Sequence, residues 1–441
     1  MEKKTINNIV LEAKKISRKL AGLDSDSKNQ LLLKISENVK RKSQLIGEAN
    51  AEDVNKAEKL VQDGLLTQPL LSRLKLNDEK IEQLSTYLEE VAKLADPVGD
   101  KQYAMKLSED LELVRVSCPI GVVAIIFESR PEVVIQVTAL SLKSGNVVIL
   151  KGGREAGNTN EALYGIINEV LDDFGLKGSV NLIETREDVA ALLNQDNLID
   201  LIIPRGSNEF VKYIQDNTKI PVIGHSSGIC HIYLDNNCDT RLAVPVITDA
   251  KIDYPSACNA VETLLVNQDL PVSTLVNVLK DLQANGVQLR ACKSVAEIAK
   301  SHQIAVEPAT DEDWMTEYND LILAVKMVSS NEEAVEHINN FGSHHTDSII
   351  TNDKLAAEYF LSNTDSGCVF HNVSTRFSDG YVFGLGAEVG ISTNKTHSRG
   401  PVGLEGMVIY KYILRGKGQT RAAFSGSQGM QFLHQPLPID D

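Results

Sequence analysis

Three short runs of the chain are apolar almost from end to end: "GVVAIIF" (121–127), "NVVIL" (146–150) and "IDLIIP" (199–204). They are rich in β-branched residues and too short for core helices. Helical patterns lie between them. "PEVVIQVTALSLKSG" opens on Pro131 and closes on Gly145, and "NEALYGIINEVLDDFG" closes on Gly175. A strand without apolar–polar alternation is covered on both faces. The pattern therefore calls for a parallel sheet between two layers of helices. "VNLI" (180–183) is another such strand, and "IPVIG" (220–224) and "HIYL" (231–234) are expected to complete the same sheet. Sheets of this kind bind ligands at the carboxyl ends of their strands.

A second α/β pattern starts near residue 250, with "ETLLV", "VSTLVNVLKDLQANG", "DLILAVKMV", "NEEAVEHINNFG" and "DSIIT". Residues 1–95 read as helices with charged outer faces. A chain of 441 residues exceeds one ordinary core. Two α/β domains with a cleft between them are expected. "YAMKLSEDLELVRVSC" (103–118) and "GMVIYKYILRG" (406–416) alternate in part and read as β extensions. Exposed edges invite unwanted pairing, and pairing between subunits removes them. A homo-oligomer is expected. The tail "QGMQFLHQPLPIDD" carries no readable pattern and is expected to be unstructured.

The net charge of −16 argues against nucleic acid as a partner. No run of about 18 apolar residues exists, so no membrane partner is expected. The first twenty residues follow a helical period rather than that of a signal peptide. Six dispersed cysteines without a CxxC pair read as reduced thiols, not a zinc site. A cytoplasmic location follows as an expectation.

The G-x-G-x-x-G fingerprint is absent after the first strand. The turns there read "ESRPEV", "KGGREAGN" and "RGSNEF". Their N–H groups suit phosphate, and Lys151 and Arg154 read equally as phosphate or ribose partners and as solvated turn residues. Cys258, in "YPSACNAVE" (254–262), is either a nucleophile presented to the cleft or a small buried hydrophobe. The pair in "HHTD" (344–347) tempts toward a metal. Adjacent residues of a strand point to opposite faces, so the two histidines are expected to line the cleft without sharing an ion. No metal is expected. Trp314 reads as a packing residue.

The segments "IIFESRPEVV", "NVVILKGGREA", "IPRGSNEFV", "GHSSGICHIYLD", "YPSACNAVETLLV" and "STRFSDGYVFGLGAEVGISTNKTHSRGPVGLEG" change this balance. In their order they resemble the aldehyde dehydrogenase superfamily over roughly residues 5–420 and, within it, the γ-glutamyl phosphate reductase family. The resemblance implies an aldehyde dehydrogenase-like α/β fold. An NADP-binding domain with a Rossmann-like sheet would occupy 1–100 and 119–248, and a catalytic domain 249–405. Oligomerisation strands and tail would occupy 101–118 and 406–441, giving a dimer or tetramer. It implies NADPH-dependent reduction of L-glutamyl 5-phosphate to L-glutamate 5-semialdehyde through a cysteine thioester, the second step from glutamate to proline. A functional contact with glutamate 5-kinase belongs to the same expectation.

Residue roles follow from the same resemblance. Cys258 matches the catalytic cysteine. Ser129 stands where the superfamily places a side-chain amide that donates to the acyl oxygen. Lys151 matches the lysine on the adenosine ribose. It is followed by Gly152 and Gly153, and Arg154 is the candidate selector of NADPH. Gly206 and Ser207 match the Gly-Ser pair near the pyrophosphate, and Glu317 the acid on the nicotinamide ribose. The substrate needs fixed cations and polar partners, for which Arg130, Arg205, His225, Asn259 and Arg376 are candidates, with Glu128 for the amine. Hydrolytic relatives carry a glutamate where this chain reads "GHSSGICHIYLD". Its absence implies that water is not activated here.

Overall fold

The structure, a computed structural model, describes residues 5–439 apart from 226 and 428, and without the side chains of residues 69 and 186. Five helices open the chain: α1 Ile6–Leu20, α2 Ser25–Arg41, α3 Ser43–Gln62, α4 Gln68–Leu74 and α5 Asp78–Lys93. Three of them start on a side-chain cap. Thr5, Asp24 and Asn77 accept the N–H groups of Asn8, Ser27 and Lys80. Leu31, Leu32, Ile35 and Val39 of α2 and Ile81, Leu84 and Leu88 of α5 are buried in one core with the first sheet.

A hairpin follows, β1 Lys101–Ser108 and β2 Leu111–Pro119, and then the first α/β unit. Its elements are β3 Val122–Phe127, α6 Glu132–Lys143, β4 Val147–Lys151, α7 Gly157–Asp173, β5 Val180–Ile183, α8 Arg186–Leu192, β6 Leu201–Arg205 and α9 Asn208–Asp216. The sheet order is β5-β4-β3-β6, parallel throughout. Ile126 lies opposite both Lys151 and Pro204, which sets three carboxyl ends level. Pro204 sits on the edge strand, where a missing N–H is tolerated. At the other end Asp200 takes the N–H of Val122 and the ammonium of Lys14, each through a short bond. "IPVIG" does not extend this sheet as a strand; it forms one bridge, Val222 to Ile202.

The second unit runs β7 Cys230–Leu234, α10 Thr240–Ile252, β8 Val261–Asn267, α11 Val272–Ala284, β9 Gln288–Ala291, α12 Lys293–Ser301, β10 Glu307–Pro308, β11 Ile322–Val328, α13 Asn331–Phe341, β12 Thr346–Ile350, α14 Lys354–Asn363 and β13 Cys368–His371. The order is β10-β9-β11-β8-β7-β12-β13, again parallel. Here the sequence reading is corrected. "HIYL" belongs to β7, between β8 and β12, so the passage between sheets falls before Cys230 rather than near residue 248. An apolar run announces burial but not which sheet receives it. Nor is 249–405 one packing unit: Ala387, Val389, Val402 and Leu404 join the core of the first sheet.

A small hairpin, β14 Gly390–Ser392 and β15 Gly400–Val402, precedes β16 Val408–Arg415. That strand pairs with β2 over its whole length. The tail is not unstructured. β17, Gln435–Pro436, closes the other side in the order β16-β2-β1-β17. Among the described residues no helix is long and apolar enough to cross a membrane.

Candidate active site

Cys258 lies in the turn between α10 and β8, shaped by bonds from Ala257 N–H to the Tyr254 carbonyl and from Ala260 N–H to the Ala257 carbonyl. The link that carries the chain between the sheets lies flat against this turn. A Cβ at Gly228 would stand 2.1 Å from the Cys258 carbonyl oxygen and 2.6 Å from its Cα, so only glycine fits. The Cys230 thiol lies 3.3 Å from the same oxygen and donates to it.

Two histidines far apart in sequence complete the cluster. His225 comes from the link and His345 from the residue before β12. One donor atom of each lies within 4.8 Å of the others and of the Cys258 sulfur. The rings meet edge to face with centroids 5.0 Å apart. His225 Nδ1 is 2.9 Å from the Ile391 carbonyl oxygen, and His345 Nδ1 is 2.8 Å from Thr346 Oγ1. The buried Nε2 of His345 has no hydrogen-bond partner among the described residues. Burial opposes a thiolate at Cys258, but the two imidazoles outweigh it and hold the thiol well below its ordinary range. Burial likewise opposes charge on His225. The neighbouring sulfur, with help from the Ile391 carbonyl, carries its pKa up to about 9. Cys230 goes the other way: burial, then the charge of Asp347, pushes its thiol up.

The histidine pair behaves as expected in one respect only. His344 takes a left-handed backbone (φ 60°) and turns its Nδ1 to the Asp365 carbonyl, so the two neighbours do not share a site. His345 instead shares one with His225 and Cys258, a convergence that adjacency could not reveal. Beneath the turn, Lys251 and Glu262 form a fully buried ion pair of 2.6 Å. His231 and Asp347 form another buried pair, of 2.9 Å.

Several residues expected in catalysis or substrate binding are engaged elsewhere. The Ser129 hydroxyl donates to Glu155 at 2.5 Å, and its N–H does so at 2.7 Å. It is therefore not aimed as an acyl-oxygen donor. Asn259 is tied through its amide to the carbonyls of Arg376 and Ser378, and its oxygen accepts from Arg376. Arg376 also binds Asp253. These two brace the turn that holds Cys258. Arg130 and Arg205 make no side-chain hydrogen bond or ion pair to the described residues. Burial, then the charges of Arg205 and Arg73, lower the pKa of Arg130. Arg73, on α4, was not singled out from the sequence.

A model of the aldehyde dehydrogenase family matches residues 1–304. The γ-glutamyl phosphate reductase of Methanosarcina mazei is 48% identical over 437 residues, 98% of each chain. The chain belongs to the aldehyde dehydrogenase family, among its γ-glutamyl phosphate reductases. The enzyme of that name from Acetivibrio thermocellus is 48% identical over 94% of each chain. The solved γ-glutamyl phosphate reductase of Thermotoga maritima superposes with a TM-score of 0.90 at 38% identity, covering 95% of this chain and 100% of that one. An acetylating aldehyde dehydrogenase from Geobacillus thermoglucosidasius shares the fold at 18% identity, with a TM-score of 0.65, over 94% of this chain and 97% of that one.

Aldehyde dehydrogenases work with a nicotinamide cofactor, and the level strand ends of the first sheet suit one. Lys151 ends β4. A side chain at Gly152 would strike Asn160, and one at Gly153 would strike Glu155. Arg154 is exposed in the turn that follows. At the start of α9 the Ser207 N–H donates to the Glu128 carboxylate at 3.2 Å, beside Gly206. Glu317 accepts from the Asn208 amide at 2.8 Å, at the same rim.

Proposed function

We propose that the chain reduces L-glutamyl 5-phosphate to L-glutamate 5-semialdehyde with NADPH, releasing phosphate. The carrying observation is a cysteine poised between two imidazoles. Identity of 48% over 98% of the chain to the Methanosarcina mazei γ-glutamyl phosphate reductase supports the substrate. The Cys258 thiolate attacks the acyl carbon. A C–S bond forms, the C–O bond to phosphate breaks, and phosphate leaves with the electron pair. Once the thiolate is consumed, His225 loses the charge that held its proton, so the imidazolium becomes a stronger acid beside the departing oxygen. The Cys258 N–H, which no described acceptor takes, is the donor for the acyl oxygen in place of Ser129. Arg130 and Arg205 hold the anionic groups of the substrate, and Glu128 its amine.

The bound cofactor supplies the hydride that reduces the thioester. Lys151 and Glu317 hold its riboses, Gly206 and Ser207 its pyrophosphate, and Arg154 the 2′-phosphate that distinguishes NADPH. Glu262 is fully buried and held by Lys251 at 2.6 Å. Where hydrolytic relatives carry a glutamate this chain reads "GHSSG", which favours survival of the thioester until reduction. The first sheet forms the cofactor domain and the second the catalytic domain. The β1, β2, β16 and β17 sheet, with Ile409, Tyr410, Tyr412 and Leu414 exposed on β16, joins copies into a dimer or tetramer. Contact with glutamate 5-kinase would pass on a labile acyl phosphate, and both would act in the cytoplasm.

The test runs the reaction backward. Purified chain is mixed with glutamate semialdehyde, NADP and phosphate, and reduced cofactor is followed by absorbance. Phosphate-dependent reduction that vanishes in Cys258→Ala is the expected result. Reduction without phosphate would identify a hydrolytic enzyme instead.

A further inference from the structure

The cluster around Cys258 has the donor set of a soft-metal site. Thiolate sulfur and imidazole nitrogen are the ligands that zinc prefers. Metal-binding histidines almost always engage their second ring nitrogen with an oxygen, which fixes the ring and leaves the other nitrogen for the metal. Both histidines here do so: His225 Nδ1 lies against the Ile391 carbonyl and His345 Nδ1 against Thr346 Oγ1. His345 Nε2 is buried and unpartnered among the described residues, an atom with a lone pair or proton and no described acceptor or donor. A tetrahedral zinc with ordinary Zn–S and Zn–N bonds sets its donors about 3.5 Å apart. The donors here are already within 4.8 Å of one another, so side-chain rotations bring them onto one ion.

We propose that His225, Cys258 and His345 bind a zinc-class divalent cation, with a fourth position left to water or phosphate, and that the bound ion holds the chain in an inactive state. Coordination takes up the sulfur lone pair that attack requires. Inhibition therefore rests on Cys258 being the nucleophile, whereas binding rests on the geometry alone. His225 shares the site but also turns its other nitrogen to β14, so occupancy would couple the link, the nucleophile turn and the small hairpin.

Cobalt(II) is the probe, because a cobalt–thiolate bond gives a near-ultraviolet charge-transfer band that needs no turnover. Metal-free full-length chain is titrated with Co²⁺. One ion per chain and a charge-transfer band are expected. The band should vanish in Cys258→Ser, and affinity should fall at least tenfold in His345→Asn and in the partly exposed His225→Asn. Thermal melts confirm that each variant is folded. With Zn²⁺ alone, alkylation of Cys258 should slow at least tenfold and recover on adding a chelator. A cobalt complex without the band, or one unchanged in Cys258→Ser, overturns the site. A band with zinc-insensitive phosphate-dependent turnover overturns the inhibitory role. If the band is present but phosphate-dependent turnover is absent without metal, the metal site stands and the proposed reaction fails.

Discussion

The two parallel sheets differ in what they bury. β3, β4 and β6 bury apolar side chains, and the residues proposed for the cofactor lie beyond their ends, as backbone, glycines and a few long cations. β7, β8 and β12 are equally buried yet carry His231, Glu262 and Asp347 inside. A surface that recognises a diphosphate needs N–H groups and room, which a plain strand end supplies. A surface that runs chemistry needs charges held in fixed places away from water. The two sulfurs of the second sheet show this at short range. Burial raises both thiols, but the two imidazoles beside Cys258 outweigh it and draw that thiol well below its ordinary range, while at Cys230 the charge of Asp347 adds to burial and pushes the thiol further up.

The sharpest test of this contrast is Cys258→Ser. It should cut turnover more than about a thousandfold while leaving NADPH binding, measured by fluorescence, within about twofold. Equal loss of both would mean that the two sheets do not divide the work. Next is Glu262→Gln, which strands the Lys251 ammonium in the core. Urea unfolding should show a loss of about 3–5 kcal/mol, against about 0.5–1.5 kcal/mol for Ile149→Val in the first sheet. At the rim, Arg154→Gln should raise the KM for NADPH about tenfold and leave that for NADH unchanged. An equal rise for both would remove Arg154 from cofactor selection.

The smallest effects concern protons. The alkylation rate of Cys258 should stay high below the ordinary thiol pKa, and its midpoint should rise in His345→Asn. The folded pKa of His225 is about 9 against 6.5 for the open chain, so its charge stabilises the fold fully below about pH 6.5. That contribution is lost as pH rises through about 9, and His225→Gln should remove this alkaline slope from pH-dependent melting curves.

Much of this was legible in advance. Apolar runs and helix signals placed the strands and helices of the first sheet and β7, β8, β11 and β12 of the second, though not α10, the short β9, α12, α14 or β13. Such signals report local burial and local caps. They did not report partners. β7 looks like the strands before it and joins the other sheet. The tail pairs through backbone groups that no side-chain pattern announces. Lys151 ends β4 and Gly206 follows β6, places that the strand pattern alone predicts. Ser129 and Asn259 were in motifs, but competing partners, Glu155 for one and the turn of Arg376 for the other, claim their polar atoms. His345 lies 87 residues beyond Cys258, and only folding could show the two in one cluster.

The pairing of β16 with β2 also has a history in time. β2 leaves the ribosome with residue 119 and its neighbour only with residue 415, almost three hundred residues later. At synthesis rates of about 5–20 residues per second, the hairpin waits for roughly 15–60 s for β16, and a little longer for β17, with both edges open. During that wait the nascent chain has a competent template for pairing with any strand nearby, a sister chain on the same message included. The four-stranded sheet is thus completed by the last strands made, after every strand of the two parallel sheets has been synthesised.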